Sequence, residues 1–164
     1  MILREEAPSD RDAIFAVNAH AFETDAEARL VDILRERNAL TVSLVAEIGG
    51  VVAGHIAFSP VRVGNRTFVA LAPMSVLPEH QRSGVGSALV RAGIDACGAR
   101  GDGAIFVLGH AGYYPHFGFV PAGPKGLHYK SAEFDPHFFV LELRAGALDG
   151  VQGLVEFHPA FDEL

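Results

Sequence analysis

Hydrophobic residues recur at every second position over 41–48, a period that predicts a β-strand. Two further strand-like stretches follow at 51–63 and 66–77. The turn pairs Gly49-Gly50 and Gly64-Asn65 separate the three stretches, and pairs of this type join antiparallel neighbours. The first half of the chain therefore predicts a meander of three antiparallel strands.

Three other stretches show the spacing of amphipathic helices. The first follows a predicted capping pair of Ser9 with Asp12, and the second follows a predicted cap at Thr24. The third ends near Gly101. The acidic stretch 23–36 is interpreted as an ordinary solvated helix face. The apolar residues of the three stripes are Ile14, Val17 and Ala21, then Ala26, Leu30, Ile33 and Leu34, then Val85, Leu89, Ala92 and Ala96.

The remaining apolar runs complete a mixed α/β pattern. ILREE at 2–6 predicts a first strand, AIFVL at 104–108 a buried central strand, and HFFVLEL at 137–143 a late strand. A strand, the third helix and the strand at 104–108 follow one another, which predicts a parallel crossover at the centre of the sheet. The chain shows no repeat, low-complexity segment or linker. We therefore predict an α/β fold with a mixed sheet, in a single domain spanning 1–164.

Composition limits the classes of function. The 164 residues are 49% hydrophobic and 20% charged, which is typical of a globular protein. No apolar run reaches the roughly 18 residues of a membrane helix, and the acidic start MILREEAPSD does not resemble a signal peptide. The lone Cys97 cannot form an internal disulfide. These features predict a cytoplasmic protein that does not contact a membrane.

Charge and histidine spacing narrow the choice of partners. A net charge of -7 argues against nucleic acid as the main partner. The eight histidines lack a metal-ligand spacing such as H-E-x-x-H. The protein is therefore predicted to act without nucleic acid and without a metal.

The stretch LPEHQRSGVGSALV at 77–90 places two glycines where the third helix begins. The first turn of a helix has unpaired N–H groups and the positive end of the helix dipole, so it binds anions. Gly84 and Gly86 have no side chains to block the backbone there. A phosphate-bearing ligand is predicted, although neither the P-loop pattern nor G-x-G-x-x-G is present.

Two motifs resemble those of the GNAT acyltransferase superfamily. The run 81–86 has the form Q-x-x-G-x-G, which resembles the acetyl-coenzyme A (acetyl-CoA) signature of that family. The run 114–119 is similar to the Y-x-x-x-G-F that follows the next strand in the family. These motifs cover 68–120, and the C-terminal FVLELRAGAL...GLVEFHPAF resembles the YhbS-type branch. The resemblance implies the GNAT fold and acetyl-CoA as co-substrate.

The resemblance also implies where acetyl-CoA binds. In this family main-chain N–H groups of the signature hold the pyrophosphate, and the pantetheine arm lies along the preceding strand like one more strand. The pantetheine residues would be Met74 and Val76, with Pro73 marking an edge or a bulge that opens the cleft. The Arg82 side chain either reaches a phosphate or is a surface charge. The implied pyrophosphate residues are Gln81, Arg82, Ser83, Gly84, Val85, Gly86 and Ser87.

The catalytic groups are implied less completely. The resemblance places a general acid at Tyr114, whose phenol would protonate the departing thiolate; alternatively Tyr114 is a core aromatic. Tyr113 lies one residue off the motif and is predicted to pack. His110 and His55 are candidates for the base that takes the proton of the amine. A water relay fits equally well, and the further candidate bases are Glu47, Glu133 and Glu142.

We therefore expect an N-acetyltransferase that transfers an acetyl group from acetyl-CoA to a primary amine by direct attack. The alternative is a non-catalytic acyl-CoA sensor or scaffold, which would not need the Tyr114 phenol. A different anion at the same helix end is a third possibility. The acceptor is predicted to be a small-molecule or peptide amine, and the family implies that Phe22 and Glu23 line its side. Exposed strand edges leave both a monomer and a homodimer open.

Overall fold

The computed structural model describes residues 1–164 and contains three α-helices and nine strands. The helices are α1 (Arg11–Ala21), α2 (Ala26–Glu36) and α3 (Val85–Arg100). The strands are β1 (Ile2–Glu5), β2 (Val42–Ile48), β3 (Val51–Val63), β4 (Arg66–Val76), β5 (Ala104–Leu108), β6 (Val120–Pro121), β7 (Leu127–His128), β8 (Phe138–Glu142) and β9 (Gly153–Leu154). Seven strands form one sheet in the order β1-β2-β3-β4-β5-β8-β6, and β7 pairs with β9. No helix has the length and apolar character needed to cross a membrane.

The predicted meander and the predicted crossover are both present. β2, β3 and β4 pair antiparallel in succession, whereas β4 and β5 pair parallel across α3. The parallel pairing is limited to Val69 with Ile105 and Ala70 with Phe106. β4 then continues over 71–76 without β5 beside it. The sheet therefore opens between these two strands.

β4 carries a bulge at Pro73. Ile56 of β3 pairs with Met74, and Phe58 pairs with Leu71, so one residue of β3 faces two residues of β4. A proline lacks the N–H that a regular ladder requires, which explains why the irregularity lies there. The prediction of an edge or a bulge at Pro73 is confirmed as a bulge, at the point where β4 leaves β5.

β2 is buried on both of its faces. Leu44 belongs to one hydrophobic cluster with Leu89 of α3, whereas Val45 belongs to another with Ile14 of α1 and Val31 of α2. Successive residues of a strand point to opposite faces of the sheet. Helix α3 therefore covers one face, and α1 with α2 covers the other.

The start of α1 differs from the sequence prediction. The proposed capping pair of Ser9 with Asp12 is wrong, because Asp10 is the residue that precedes the helix. The Asp10 carboxylate accepts hydrogen bonds from the Ala7 N–H at 2.6 Å and from the Arg4 guanidinium at 2.7 Å. An ion pair with a residue of β1 therefore fixes the helix start.

The start of α2 lies one residue after the predicted position. Asp25 is the N-cap, and the Thr24 hydroxyl accepts a hydrogen bond from the Ala26 N–H at 3.3 Å. Thr24 thus satisfies an N–H of the first turn from just outside the helix. The predicted cap at Thr24 is therefore one residue too early, although its hydroxyl does bond to the first turn.

Helix α3 approaches β3 closely at Gly93. A side-chain carbon built at Gly93 would lie 2.5 Å from the ring of Phe58, which is shorter than a stable contact. Gly101 ends the helix with a φ of 89°, in the left-handed conformation that favours glycine. The predicted end of the helix is confirmed.

The C-terminal tail packs against α2. Ala160 is buried in one cluster with Leu30 and Leu34, and Phe161 packs against that cluster. These contacts bring the last residues of the chain beside α2.

Candidate active site

The separation of β4 and β5 opens a cleft of about 740 Å³. Its lining includes the glycine stretch before α3, the second half of β4, the end of β5 and the Tyr113-Tyr114 pair. We call this part the α3 side. The lining is completed by one residue that follows α1, two residues of α2 and two residues of the tail. We call these five residues the α2 side: Phe22, Glu27, Leu30, Phe161 and Leu164. The cleft is therefore lined on one side by residues of the sequence motifs and on the other by residues that no motif predicted.

The first turn of α3 is open to an anion. The first helical bond runs from the Ala88 N–H to the Gly84 carbonyl at 3.0 Å, so the N–H groups of 85–87 have no partner within the helix. Gly84 is the N-cap with a φ of 89°, and Arg82 also has a positive φ of 61°. With these two residues in the left-handed conformation, the chain enters the helix in a geometry that suits a phosphate group.

Gly86 keeps the cleft open beside this turn. A side-chain carbon at Gly86 would lie 3.2 Å from the Tyr113 hydroxyl oxygen and 3.4 Å from Cε of Met74. Both contacts are with residues that line the cleft. Any larger residue at this position would therefore occupy space that a ligand could use.

The main-chain groups of Met74 and Val76 point away from β3. The Leu77 N–H donates to the Ala53 carbonyl at 2.8 Å, which makes Leu77 and Ala53 a hydrogen-bonded pair of the ladder. Hydrogen-bonded and non-bonded positions alternate in an antiparallel pair, so Val76 and Met74 fall on non-bonded positions. The Gln81 side chain supports this orientation, because its Nε2 donates to the Val76 carbonyl at 3.0 Å.

Most of the predicted coenzyme residues lie at the cleft. Ser83 and Val85 do not line it: the Ser83 hydroxyl donates to the His80 carbonyl, and the Val85 side chain is buried in the core. Arg82 is exposed and forms no ion pair. Of the predicted coenzyme residues, those that line the cleft are Met74, Val76, Gln81, Arg82, Gly84, Gly86 and Ser87.

Tyr114 lies in the cleft with most of its ring buried. A side-chain carbon at Gly109 would lie 2.3 Å from the Tyr114 ring, so the glycine makes room for it. The ring also contacts Phe119 edge-on, with 5.7 Å between the centroids. Burial, with a smaller contribution from Tyr113, raises the pKa of the Tyr114 phenol to about 12. The phenol is therefore protonated at neutral pH and able to donate.

Tyr113 also lines the cleft. Its ring packs against Phe117 with 5.1 Å between the centroids, as expected for a packing residue. Its hydroxyl, however, faces Gly86 at the start of α3. The ring of Tyr113 therefore packs as predicted, whereas the position of its hydroxyl beside Gly86 was not predicted from the sequence.

Comparison with known proteins decides the family. The family model for the Acetyltransferase (GNAT) family matches residues 6–119, which is more than half of the chain. The chain belongs to the GNAT family. It is 39% identical over 165 residues to the uncharacterized N-acetyltransferase YhbS of Escherichia coli, covering 99% of each chain.

Two solved GNAT structures resemble the whole chain. YhbS from Escherichia coli in complex with CoA is 38% identical, with a TM-score of 0.94 over 98% of this chain and 91% of that one. A GNAT family acetyltransferase from Brucella melitensis in complex with acetyl-CoA is also 38% identical, with a TM-score of 0.82 over 98% and 97% of the two chains. The predicted fold class and family resemblance, including the YhbS-type branch, are confirmed.

The candidate bases of this GNAT chain fall into two groups. His110 is exposed at the end of β5 and lines the cleft together with Tyr114. Glu47 pairs with Arg4 at 3.2 Å, and Glu142 accepts a hydrogen bond from the Leu148 N–H at 3.1 Å. Neither of these glutamates lines the cleft, and Glu133 does not line it either. Of these candidate bases, His110 lies at the cleft and the three glutamates do not.

His55 lies away from the cleft, in a buried network under α1. Its Nδ1 accepts a hydrogen bond from Asn18 Nδ2 at 3.1 Å, because an amide nitrogen can only donate. Its Nε2 therefore carries the proton and donates to the Ser43 hydroxyl at 2.8 Å, and Ser43 donates to Glu6. Burial lowers the pKa of His55 to about 4. His55 is thus a neutral structural residue and cannot contact a substrate in the cleft.

Glu6 and Arg35 extend the network toward the surface. The Arg35 guanidinium donates to both carboxylate oxygens of Glu6 at 3.0 Å and to Asp32 at 3.0 Å. Arg35 and Asp32 belong to the acidic stretch 23–36, and both are half-buried. The interpretation of this stretch as a solvated face is therefore wrong for these two residues.

Glu27 is the cleft residue that the sequence reasoning missed. It lines the cleft from α2, and its Oε2 is buried without a hydrogen-bond partner. Glu23, which the family resemblance suggested, is exposed and outside the lining, whereas Phe22 does line the cleft. The available signal was the spacing of Glu27 with Leu30, Val31 and Leu34, which places a carboxylate on the apolar stripe of the helix.

The other reactive residues do not form a further site. Cys97 is a free, buried thiol, and burial raises its pKa to about 12. It therefore packs as a small hydrophobic residue. No three His, Cys, Asp or Glu side chains are grouped as a metal ion would require.

Proposed function

We propose that the protein transfers an acetyl group from acetyl-CoA to a primary amine by direct attack. The observation that carries this proposal is the opening between β4 and β5, which exposes main-chain groups of Met74 and Val76 beside the bare first turn of α3. Similar GNAT chains that are 38% identical have structures with CoA or acetyl-CoA bound. The protein would act as a single domain in the cytoplasm.

The main chain of the α3 side would bind the coenzyme. The pyrophosphate would accept hydrogen bonds from the N–H groups of 85–87, where the helix dipole also favours negative charge. The pantetheine arm would pair with Met74 and Val76 in place of a neighbouring strand. The Gln81 side chain would hold the signature loop against the end of β4 through its bond to the Val76 carbonyl.

The reaction joins the amine nitrogen to the acetyl carbonyl carbon and breaks the bond from that carbon to sulfur. The acceptor ammonium first loses one proton, so that the nitrogen has a lone pair for the attack. The tetrahedral intermediate collapses, and Tyr114 donates its phenolic proton to the departing thiolate. The nitrogen loses a second proton to become an amide, and that proton restores the phenol through water. The balance is one acetylated amine, one CoA thiol and one proton released.

His110 is the candidate acceptor of the first proton. It is exposed at the end of β5 and lines the same cleft as Tyr114. An imidazole nitrogen has a lone pair, so it can take a proton from an ammonium and pass it to solvent. A relay through water alone is the alternative, and His110→Gln would then leave the pH dependence of kcat unchanged.

Calorimetric titration with acetyl-CoA tests the donor site. The informative variant is Gly86→Glu, which places a carboxylate beside Tyr113 and Met74 without requiring a left-handed backbone. We expect affinity to fall by at least about 100-fold, because a fixed negative charge would oppose the phosphates. The matched control is Gly98→Glu, the same change in the same helix at a glycine with open space around it.

The outcomes separate the two function classes. Binding by the parent and by Gly98→Glu, but not by Gly86→Glu, would support the proposed donor site. Thiol release from acetyl-CoA on addition of amines would then support transfer. Binding without thiol release from any amine would favour the acyl-CoA sensor, and absence of binding by the parent would refute both.

A further inference from the structure

The α2 side of the cleft provides a site for the acceptor. If the coenzyme occupies the α3 side, the remaining lining consists of Phe22 after α1, two residues of α2 and two of the tail. Four of these five residues are apolar, and the fifth is Glu27. Within the whole cleft Glu27 is the only acidic residue, and Arg82 on the α3 side is the only Lys or Arg.

The Glu27 carboxylate has no partner within the protein. Four buried side-chain atoms of the chain lack a hydrogen-bond partner, and Oε2 of Glu27 is the only carboxylate oxygen among them. The other three are amide or hydroxyl oxygens outside the cleft lining, namely Asn18 Oδ1, Ser59 Oγ and Ser75 Oγ. A buried carboxylate oxygen without a donor is costly, so the position of Oε2 in a cleft points to a ligand that supplies one.

The nearby arginines of α2 pair with other carboxylates. Arg29, two residues along α2, pairs with Asp25 at 3.0 Å, and Arg35 pairs with Glu6 and Asp32. Glu27 itself forms no ion pair. The carboxylate is therefore available to a cation that enters the cleft.

We propose that the acceptor is a primary amine with an apolar body, and that Glu27 binds its ammonium group. The ammonium N–H groups would satisfy the unpartnered oxygen, while Phe22, Leu30 and Phe161 would contact the apolar body. Glu27 thereby selects for a cation and against an acceptor that carries its own carboxylate. This inference rests on the proposed acetyl transfer.

Steady-state kinetics of thiol release with 2-phenylethylamine test the role of Glu27. Glu27→Gln keeps the shape of the side chain and removes the charge. We expect the KM for this amine to rise at least about 10-fold, because the ammonium loses a partly buried counterion. The KM for acetyl-CoA should stay unchanged. The control Glu23→Gln removes an equal charge from an exposed position outside the cleft, and it should leave both constants unchanged.

Acceptor pairs test the substrate class. Phenylalaninamide and phenylalanine share an amine and an aromatic body, but phenylalanine carries a carboxylate where phenylalaninamide carries a neutral amide. We expect the amide to have at least about 10-fold higher kcat/KM, because Glu27 repels a second anion. The preference should shrink in Glu27→Gln and persist in Glu23→Gln. Spermidine should be a poorer acceptor than 2-phenylethylamine, since its extra charges would lie against apolar side chains.

Calorimetry with acetyl-CoA separates the possible failures. If the parent protein does not bind acetyl-CoA, the proposed function itself is refuted. If acetyl-CoA binds and the two glutamine variants behave alike, the role of Glu27 is refuted and the transfer proposal stands. If spermidine or phenylalanine is the better acceptor, or if no amine of the set releases thiol, the proposed acceptor class is refuted.

Discussion

The His55 ring and the Glu27 carboxylate differ in whether the protein satisfies their buried polar atoms. Both ring nitrogens of His55 have protein partners within 3.1 Å, whereas Oε2 of Glu27 has none. His55 is enclosed between α1 and the sheet, while Glu27 lines an open cleft. The difference teaches that a satisfied polar group serves the fold, and that an unsatisfied charged group in a cleft indicates a ligand.

Tyr114→Phe, a substitution in the cleft, is expected to have the largest effect on catalysis. Removing the phenol of a cleft residue should lower kcat about 100-fold, since a general acid typically contributes at least that much. Acetyl-CoA affinity and thermal stability should change little, because the ring remains packed against Phe119. Stopped-flow or steady-state thiol release checks this, with Tyr129→Phe as a control outside the cleft. Equal kcat values for the two variants would contradict the proposed role.

Acidification should destabilise the protein through His55. Its pKa is about 4 in the folded state and about 6.5 when unfolded, so the unfolded chain binds a proton between these values. The free energy of unfolding should therefore fall as pH drops from 6.5 to 4, by on the order of 3 kcal/mol. Urea unfolding at several pH values measures this.

A variant can separate the His55 contribution from other titrating groups. His55→Gln should be less stable at pH 7.5, because the network is disturbed, yet its stability should depend less on pH between 6.5 and 4. His116→Gln, at an exposed position, should retain the dependence of the parent. Identical pH profiles for all three proteins would show that His55 is not the titrating group.

Packing between α3 and β3 predicts an effect of intermediate size. Gly93→Ala should destabilise the protein by about 1–3 kcal/mol, because the added carbon would meet the Phe58 ring. Gly98→Ala lies in the same helix with open space around it and should stabilise by up to about 1 kcal/mol. Thermal unfolding of both variants checks the difference. Equal stabilities would mean that the close approach at Gly93 is not a real constraint.

The smallest effect is expected from Arg82→Gln. Arg82 is exposed at the rim of the cleft, so a phosphate contact there would be screened by solvent and salt. We expect acetyl-CoA affinity to fall about threefold to tenfold at low salt, with less difference at high salt. Arg62→Gln, on β3, is the control. An unchanged affinity at low salt would show that Arg82 is only a surface charge.

Local patterns were sufficient to predict most of the fold. The period of two over 41–48, the glycine turns and the apolar run 104–108 are properties of neighbouring residues, and each element formed where expected. The start of α1 was not predictable in this way. It depends on an ion pair between Asp10 and Arg4 of β1, and no local rule predicts that contact.

The site was predictable only on the side that has a motif. Gly84, Gly86 and Tyr114 were found because their spacing is distinctive, and all three line the cleft. Glu27 was missed because charged residues of an amphipathic helix were assumed to face solvent. Its position on the apolar stripe indicated the opposite, but only the tertiary structure shows that the stripe borders a cleft at that point.

The non-bonded positions of β4 have a consequence for how such a protein can evolve. Donor recognition through the main chain of Met74 and Val76 depends on backbone geometry, so substitutions that preserve the strand would leave it intact. The α2 side offers side chains, and each replacement there changes shape or charge directly. Acceptor preference can therefore drift among descendants of one ancestor while the acyl donor stays the same.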